Sequence, residues 1–167
     1  MLKVWILFFL SGTAVCFGQA NRATFNVGLE YNQQDFFLNA GYTKQLKRFE
    51  LGAAVGVGVN RTFFQQRIFP KMQLQGTYQV VQSEMFRIGP SFAVHYGGLN
   101  VNASSSKLTY YQFYGAGYQL VVGKRFQGFQ STHFCRMTEY FFDTFEGRYT
   151  PASSWIFSIQ LGGRYAF

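Results

Sequence analysis

The fold is decided by the stretch Phe49-Glu50-Leu51-Gly52-Ala53-Ala54-Val55-Gly56-Val57-Gly58-Val59-Asn60. Its odd-numbered residues are all apolar, and the residues between them are small or polar. This period of two indicates a β-strand, in which successive side chains point to opposite faces. A helix is disfavoured because each glycine inside it would cost about 1 kcal/mol relative to alanine.

The same alternation recurs along the chain and predicts eight strands. They cover residues 24–31, 36–43, 49–60, 68–80, 86–97, 108–122, 125–138 and 155–167. In the seventh strand Phe126 and Phe134 break the pattern, so we expect a bulge or a shifted boundary there. Pro70 and Pro90 lie within strand patterns, where proline marks a strand start or a bulge.

Residues 1–20 have the features of a targeting segment and are not expected to belong to the folded domain. Lys3 is followed by the apolar run 4–10 and by the small residues 11–14. This order predicts a secretory signal peptide, cleaved after Gly18 or Ala20. The exported chain, residues 21–167, then keeps one cysteine, Cys135, which excludes an internal disulfide. No later run of apolar residues has the length of a membrane-spanning helix.

The two strand faces differ in a way that suits lipid outside and a narrow lumen inside. Aromatic residues make up 20% of the chain and charged residues only 13%. One face carries small, uncharged polar residues, whereas a water-exposed face should be rich in Lys and Glu. The opposite face is apolar and has aromatic residues near the strand ends. These are Tyr31, Tyr42, Tyr96, Trp155 and Tyr165.

These patterns predict an all-β fold with one domain over residues 21–167. Eight strands would form a closed antiparallel up-and-down transmembrane β-barrel, because closure satisfies every backbone group in lipid. A soluble barrel such as a lipocalin also alternates, but its outer face should be charged. Connections 44–47, 82–84 and 123–124 are short, while 98–107 and 139–152 are long. The barrel should therefore have tight turns at one end and loops at the other.

The C-terminal pattern Gln160-x-Gly162-x-x-Tyr165-x-Phe167 resembles the terminal signal that the barrel-assembly machinery reads in bacteria. Together with the signal peptide and the strands, it makes the chain similar to the small eight-stranded outer-membrane β-barrel family, of the OmpX or OmpA transmembrane-domain type. The resemblance implies a location in the Gram-negative outer membrane. It also implies outer-membrane lipids, lipopolysaccharide and the assembly machinery as partners. The resemblance implies little about activity.

Charged residues on the inward face are the first candidates for function. Glu50, Lys71, Arg87 and Arg164 are expected to form a lumen charge network, with Glu30 near it, since unpaired buried charges are costly. We expect Glu50 to pair with Arg87 or Arg164 and to help plug the lumen. The alternative is a gated, narrow ion channel. The basic residues Lys44, Lys47, Arg48, Lys124 and Arg125 should lie near anionic head groups or in solvated turns.

An enzyme is not expected. The resembling family includes a lipid A acyl hydrolase, and His95, His133, Ser131 and Glu139 are the candidates for such chemistry here. The hydrolase's His-x-Ser-Asn motif is absent from both histidine contexts. Cys135 is expected to be inert, and we expect no metal site, no cofactor and no nucleic-acid partner.

The long connection 139–152 is the candidate interaction loop. Its aromatic run contains Tyr140, Phe141, Phe142, Asp143 and Phe145. These residues would bind a surface partner or extend the last two strands beyond the bilayer. The sequence therefore predicts a porin-like surface protein without an open pore, which has a structural or adhesion-like role. It does not identify the ligand.

Overall fold

The computed structural model describes residues 22–60, 69–100, 108–143 and 145–167. The signal peptide prediction lies outside these residues. The described ranges contain nine strands: β1 (Ala23–Asn32), β2 (Phe36–Leu46), β3 (Phe49–Gly58), β4 (Pro70–Tyr78), β5 (Val81–Gln82), β6 (Phe86–Asn100), β7 (Leu108–Gly123), β8 (Phe126–Asp143) and β9 (Arg148–Ala166).

These strands form one closed antiparallel barrel. Each long strand pairs with its neighbour in the chain, β4 pairs with β6, and β1 closes the sheet against β9. β5 has two residues and continues β4 after an interruption. Because β4 and β5 together form one strand of the barrel, the barrel has eight strands. The predicted fold class is confirmed.

A bulge separates β4 from β5. Thr77 faces Ser91 and Val81 faces Ile88, so residues 78–80 lie opposite residues 89–90 and the first strand has one extra residue. Pro90 lies at this interruption, where its missing N–H removes no ladder hydrogen bond. Pro70 begins β4. Both prolines lie in the kind of position predicted for them.

The outer surface of the barrel is apolar and the inner surface is mostly polar. Met72 and Val55 are 61% and 60% exposed on the outer face. The polar side chains of Asn39 and Gln73 are buried inside. Four predicted girdle residues, Tyr31, Tyr42, Tyr96 and Trp155, are exposed, and Tyr165 is half-exposed. Among the described residues no helix has the length and apolar character needed to cross a membrane.

In the seventh strand the expectation of a shifted boundary is confirmed, since β8 covers Phe126–Asp143 and not 125–138, and the alternative of a bulge is wrong. β8 pairs without interruption with β7 and with β9. Phe126 and Phe134 are 78% and 55% exposed, so they belong to the outer face. The outward positions between them include the polar Gln130 and Thr132, while Phe129 points inward. This mixture hides the period of two in the sequence.

The long connection predicted at 139–152 is also wrong. β8 continues to Asp143 and β9 begins at Arg148, so Tyr140, Phe141, Phe142 and Asp143 are strand residues. The Asp143 carboxylate accepts the Phe145 N–H at 2.8 Å, and Gly147 has φ of 67°, which together close a tight turn. Phe145 is 99% exposed at the tip. The aromatic run therefore extends the last two strands into a long hairpin, as the alternative prediction for this segment had it.

The two ends of the barrel differ. We call the end with the turns at 47–48, 83–85 and 124–125 the turn end, and the opposite end the loop end. Residues 22 and 167 lie at the turn end, where the Gln45 N–H donates to the Arg22 carbonyl at 2.9 Å. Lys47, with φ of 58°, is the only non-glycine residue with positive φ in the described part of the chain.

Gly89 tests the bulge, because a Cβ at this position would lie 1.7 Å from the Tyr78 carbonyl oxygen. We expect Gly89→Ala to lower the free energy of unfolding by about 1–3 kcal/mol, as overpacking does. Gly128→Ala is the matched control, since a Cβ there meets no atom within 4 Å. Urea unfolding of the detergent-folded protein measures both. Equal stability of the two variants would contradict the bulge geometry.

Candidate functional site

The turn-end cluster consists of Glu50, Arg87 and Arg164, which point inward from β3, β6 and β9. A Glu50 carboxylate oxygen lies 2.5 Å from Arg164 Nη1, and its other oxygen lies 3.9 Å from Arg87 Nη1. Gln79 donates a further hydrogen bond to Glu50 at 3.2 Å. All three charged side chains are buried. Glu50 thus lies between the two arginines that were named from the sequence.

The loop-end cluster consists of Glu30, Lys71 and His95. Lys71 Nζ forms an ion pair with Glu30, and His95 Nδ1 lies 3.5 Å from the same carboxylate. Asn39 and Ser158 donate to Glu30 at 3.1 and 3.0 Å. The lumen charge network predicted for Glu50, Lys71, Arg87 and Arg164 is thus divided into two clusters, and Lys71 has Glu30 as its partner. Lys71 lies near the loop end of β4, while Glu50 lies near the turn end of β3.

Uncharged polar side chains fill the lumen between the two clusters. Gln73 donates to Gln160 at 3.3 Å, and Gln75 donates to Ser131 at 3.2 Å. A cavity of about 20 Å³ remains beside Gln73 and Arg164. This volume is close to that needed for one water molecule. The small polar residues therefore fill the interior, as in narrow barrels.

An aromatic cluster lies in the lumen beside the loop-end cluster. Phe37, Phe69, Tyr111 and Phe113 are buried, with Phe37 and Phe69 ring centres 5.0 Å apart and Phe69 and Tyr111 ring centres 5.3 Å apart. Lys71 Nζ lies 4.3 Å from the Phe37 ring centre. The sequence reading missed this cluster. The sequence did contain an indication of it, because Phe37 and Phe113 occupy the alternate strand positions that otherwise carry inward-facing polar residues.

The two charged clusters differ in charge balance. In the loop-end cluster one carboxylate faces one ammonium group. In the turn-end cluster one carboxylate faces two guanidinium groups, which leaves one positive charge in excess. Arg87 donates its remaining hydrogen bonds to the uncharged oxygens of Gln45 and Gln127, at 2.6 and 2.5 Å. The turn end of the lumen is therefore electropositive.

The residues considered for catalysis do not meet. His133 Nε2 lies 2.7 Å from Ser91 Oγ, whereas Ser131 bonds to glutamine side chains. His95 contacts Glu30 in the loop-end cluster, and Glu139 lies half-buried on the hairpin. Cys135 is a buried thiol inside the aromatic cluster. Within the described ranges, no three His, Cys, Asp or Glu side chains are grouped as metal ligands.

The predicted assembly signal forms the last part of β9. Gln160 is buried in the lumen, and Phe167 is exposed at the turn end. A Cβ on Gly162 would lie 2.3 Å from the Val27 carbonyl oxygen and 2.6 Å from the Phe129 ring. Gly162 thus provides space for an inward aromatic side chain. Tyr165 packs its ring 5.1 Å from that of Phe126. Recognition of these residues by an assembly machinery stays a prediction.

Solved structures of outer-membrane proteins share this fold, among them the following two. A major outer membrane protein from Thermus thermophilus has a TM-score of 0.52 and 12% identity, and the match covers 89% of this chain and 100% of that one. The N-terminal β-barrel domain of Pseudomonas aeruginosa OprF also has a TM-score of 0.52, with 13% identity and the same coverage. No protein-family model and no curated protein matches the chain. The resemblance to small outer-membrane barrels is confirmed at the level of fold.

Glu50 is the residue on which the turn-end cluster depends. Glu50→Gln leaves two buried arginines without a counter-charge, so we expect a loss of about 3–5 kcal/mol in the free energy of unfolding. Glu84→Gln is the matched control, since Glu84 pairs with Lys124 in an exposed position that contributes little. Guanidinium unfolding in detergent compares them. A Glu50→Gln protein as stable as the control would contradict the proposed role of the cluster.

Proposed function

We propose that the protein is an integral outer-membrane β-barrel with a closed lumen, and that it acts as a structural and surface-interaction protein through its β8–β9 hairpin. The single observation that carries the interaction role is an open strand edge on β9. The location is supported by the apolar outer surface and by the outer-membrane proteins that share the fold.

The outer surface suits a lipid environment. Apolar side chains cover the outward positions of strands all around the barrel, among them Val27, Leu51, Leu74, Phe92 and Leu161, all about half exposed. Soluble monomers rarely expose contiguous apolar patches of more than about a few hundred Å². The alternation of an apolar outer face with a polar inner face is that of transmembrane barrels.

The filled lumen supports a role other than transport. Four groups of inward side chains follow one another along the barrel. They are the turn-end cluster, the uncharged polar side chains that include Gln73 and Gln160, the loop-end cluster and the aromatic cluster, and they are largely buried. Water and ions thus meet several layers of packed side chains. The narrow-channel alternative requires that these layers move apart.

Planar-bilayer recording tests the closed lumen. We expect the reconstituted wild-type protein to give no large, stable conductance, because the buried ion pairs and the aromatic cluster occupy the path. Glu50→Gln provides a comparison in which one layer is weakened. A large and stable conductance of the wild type would contradict the closed lumen and favour the channel.

The β9 edge is open near the loop end. β9 pairs with β8 from Arg148 onward, but among the described residues it pairs with β1 only from Ser158. Within the described part of the chain, residues 148–157 therefore have one side paired with β8 and one side without a strand partner. The side chains from Pro151 to Trp155 are all exposed.

Hydrogen-bond parity identifies which backbone groups face the open edge. The Phe167 N–H donates to Ala23 on the β1 side, and the Ala166 N–H donates to Arg125 on the β8 side. Because the β8–β9 register is continuous, odd-numbered residues of β9 point toward the open edge. Ser153, Trp155 and Phe157 thus present N–H and C=O groups there. Pro151 has no N–H, which limits pairing at the tip.

These groups fit an extended peptide strand as partner. Strand addition uses backbone hydrogen bonds for affinity and side-chain pockets for specificity. Aromatic residues flank the edge: the Trp155 ring is stacked at 4.9 Å on Phe134, and Tyr149 contacts Phe142 at 5.4 Å. We therefore assign the adhesion-like role to the β9 strand edge and not to a loop. The aromatic residues beside this edge would supply the side-chain contacts.

Ser153→Pro tests this mode of binding. The substitution removes an N–H that points to the open edge and leaves the β8–β9 ladder intact, so we expect surface binding to fall while assembly is unchanged. Ser153→Ala is the control, because it keeps the N–H and removes the hydroxyl. Binding of cells that display each variant to a host-protein or matrix-protein array measures the effect. Unchanged binding by Ser153→Pro would contradict strand addition.

The acyl-hydrolase alternative receives less support. Ser91 and His133 are in contact, but both side chains are buried in the lumen, and the Glu30 carboxylate pairs with the other histidine. A lipid acyl chain would have to enter the packed interior to reach them. Mass spectrometry of lipid A from cells with and without the protein tests the alternative, and loss of an acyl chain would support it.

A further inference from the structure

We infer that the turn end of the barrel holds a binding site for a phosphate-bearing anion. The site is a cavity of about 680 Å³, which we call the turn-end vestibule. Its lining includes Arg22, Gln45, Lys47, Arg48, Gln82 and Arg87. Pockets for small molecules commonly measure about 300–1,000 Å³. The vestibule lies at the opposite end from the β9 edge, so the two proposals are independent.

The positive charges that line the vestibule outnumber the negative charges of the same lining. It is lined by four cationic side chains and by one carboxylate, Glu84. The Glu84 carboxylate lies 2.7 Å from Lys124 Nζ, so a residue outside the lining neutralises it. Behind the vestibule Glu50 is shared between Arg87 and Arg164. An anion would therefore be attracted by the rim of the vestibule, which includes the basic residues Lys47 and Arg48, and by the excess positive charge of the turn-end cluster.

Arg87 connects the rim to the buried cluster. Its side chain is 6% exposed and lines the vestibule from the lumen. It donates to the oxygen of Gln45 at 2.6 Å and to that of Gln127 at 2.5 Å, and neither oxygen carries a charge. The carboxylate that it faces, Glu50 at 3.9 Å, is shared with Arg164, so the cluster keeps one positive charge in excess. A buried guanidinium favours planar recognition of phosphate or carboxylate oxygens. Several cations around one cavity favour an anion with several charged oxygens, as in a phosphate group, whether it is a phosphodiester or a free phosphate.

The rim is held in place over Arg87. The Gln45 amide accepts from Arg87 and donates to the Lys47 carbonyl at 2.9 Å. The Gln79 N–H donates to the Arg48 carbonyl at 2.7 Å and ties the turn to the β4–β5 bulge. The basic turn at 47–48 is thus positioned by two strands. Such pre-organisation lowers the cost of binding.

Lys47 is the residue that separates a binding role from a structural one. Its positive φ favours glycine, which has no Cβ to clash in this region. For the fold alone Lys47→Gly should be neutral or stabilising. For an anion site it should weaken binding, because one cation of the rim is lost.

Isothermal titration calorimetry with inorganic pyrophosphate tests the site in protein folded in an uncharged maltoside detergent. We expect saturable binding that Arg48→Gln and Lys47→Gly each weaken about tenfold, the effect of one charge-assisted hydrogen bond. Binding should also fall steeply as salt is raised, because the charges are screened. Arg148→Gln, an exposed arginine at the loop end, is the matched control and should bind as the wild type does. Thermal unfolding shows that each variant is folded.

A second arm identifies the source of the phosphate group. Native mass spectrometry compares retention of phosphatidylglycerol and phosphatidylcholine, with and without pyrophosphate. Retention of phosphatidylglycerol that pyrophosphate displaces and Arg48→Gln weakens would identify a lipid head group. Pyrophosphate binding without lipid retention would identify a soluble anion. Absence of both, or equal loss of binding in Arg148→Gln, would overturn the inference.

Discussion

Closure of the sheet by the β1–β9 pairing is the constraint on which the rest of the structure depends. A hydrocarbon environment offers no partner for a backbone N–H or C=O, so every strand must be paired on both sides over the part that lies within the hydrocarbon layer. Once β1 meets β9, the alternation of side chains separates one apolar surface outside from one small lumen inside. The low charge content and the many aromatic residues of the chain follow from this separation.

The lumen of an eight-stranded barrel is wide enough only for side chains. Its polar residues must therefore satisfy one another, and the charged ones must find counter-charges at a cost of several kcal/mol per buried ion. Glu30 with Lys71 meets this demand with matched charges. Glu50, shared between two arginines, meets it with a positive excess, and this excess is the basis on which we propose an anion site at the turn end.

The period of two was sufficient to predict the strands, their faces and the closed barrel, because the contrast between lipid and lumen acts on every residue. It failed where the contrast is weak. In β8 the outward Gln130 and Thr132 and the inward Phe129 obscured the phase, and in the hairpin the polar residues near Ser153 resembled a loop. The pairing of Lys71 with Glu30 and the cluster of Phe37 with Phe69 depend on register around the barrel, which periodicity along one strand does not contain.

The most direct test of the account is the electrophoretic mobility of the unheated protein, combined with membrane fractionation of cells that express it. A closed barrel with a packed, ion-paired lumen should resist detergent at room temperature, migrate as a compact species and shift to slower mobility after boiling. That species should be found in the outer-membrane fraction. Recovery in the soluble fraction, or identical mobility before and after boiling, would contradict the central claim of a closed barrel embedded in lipid.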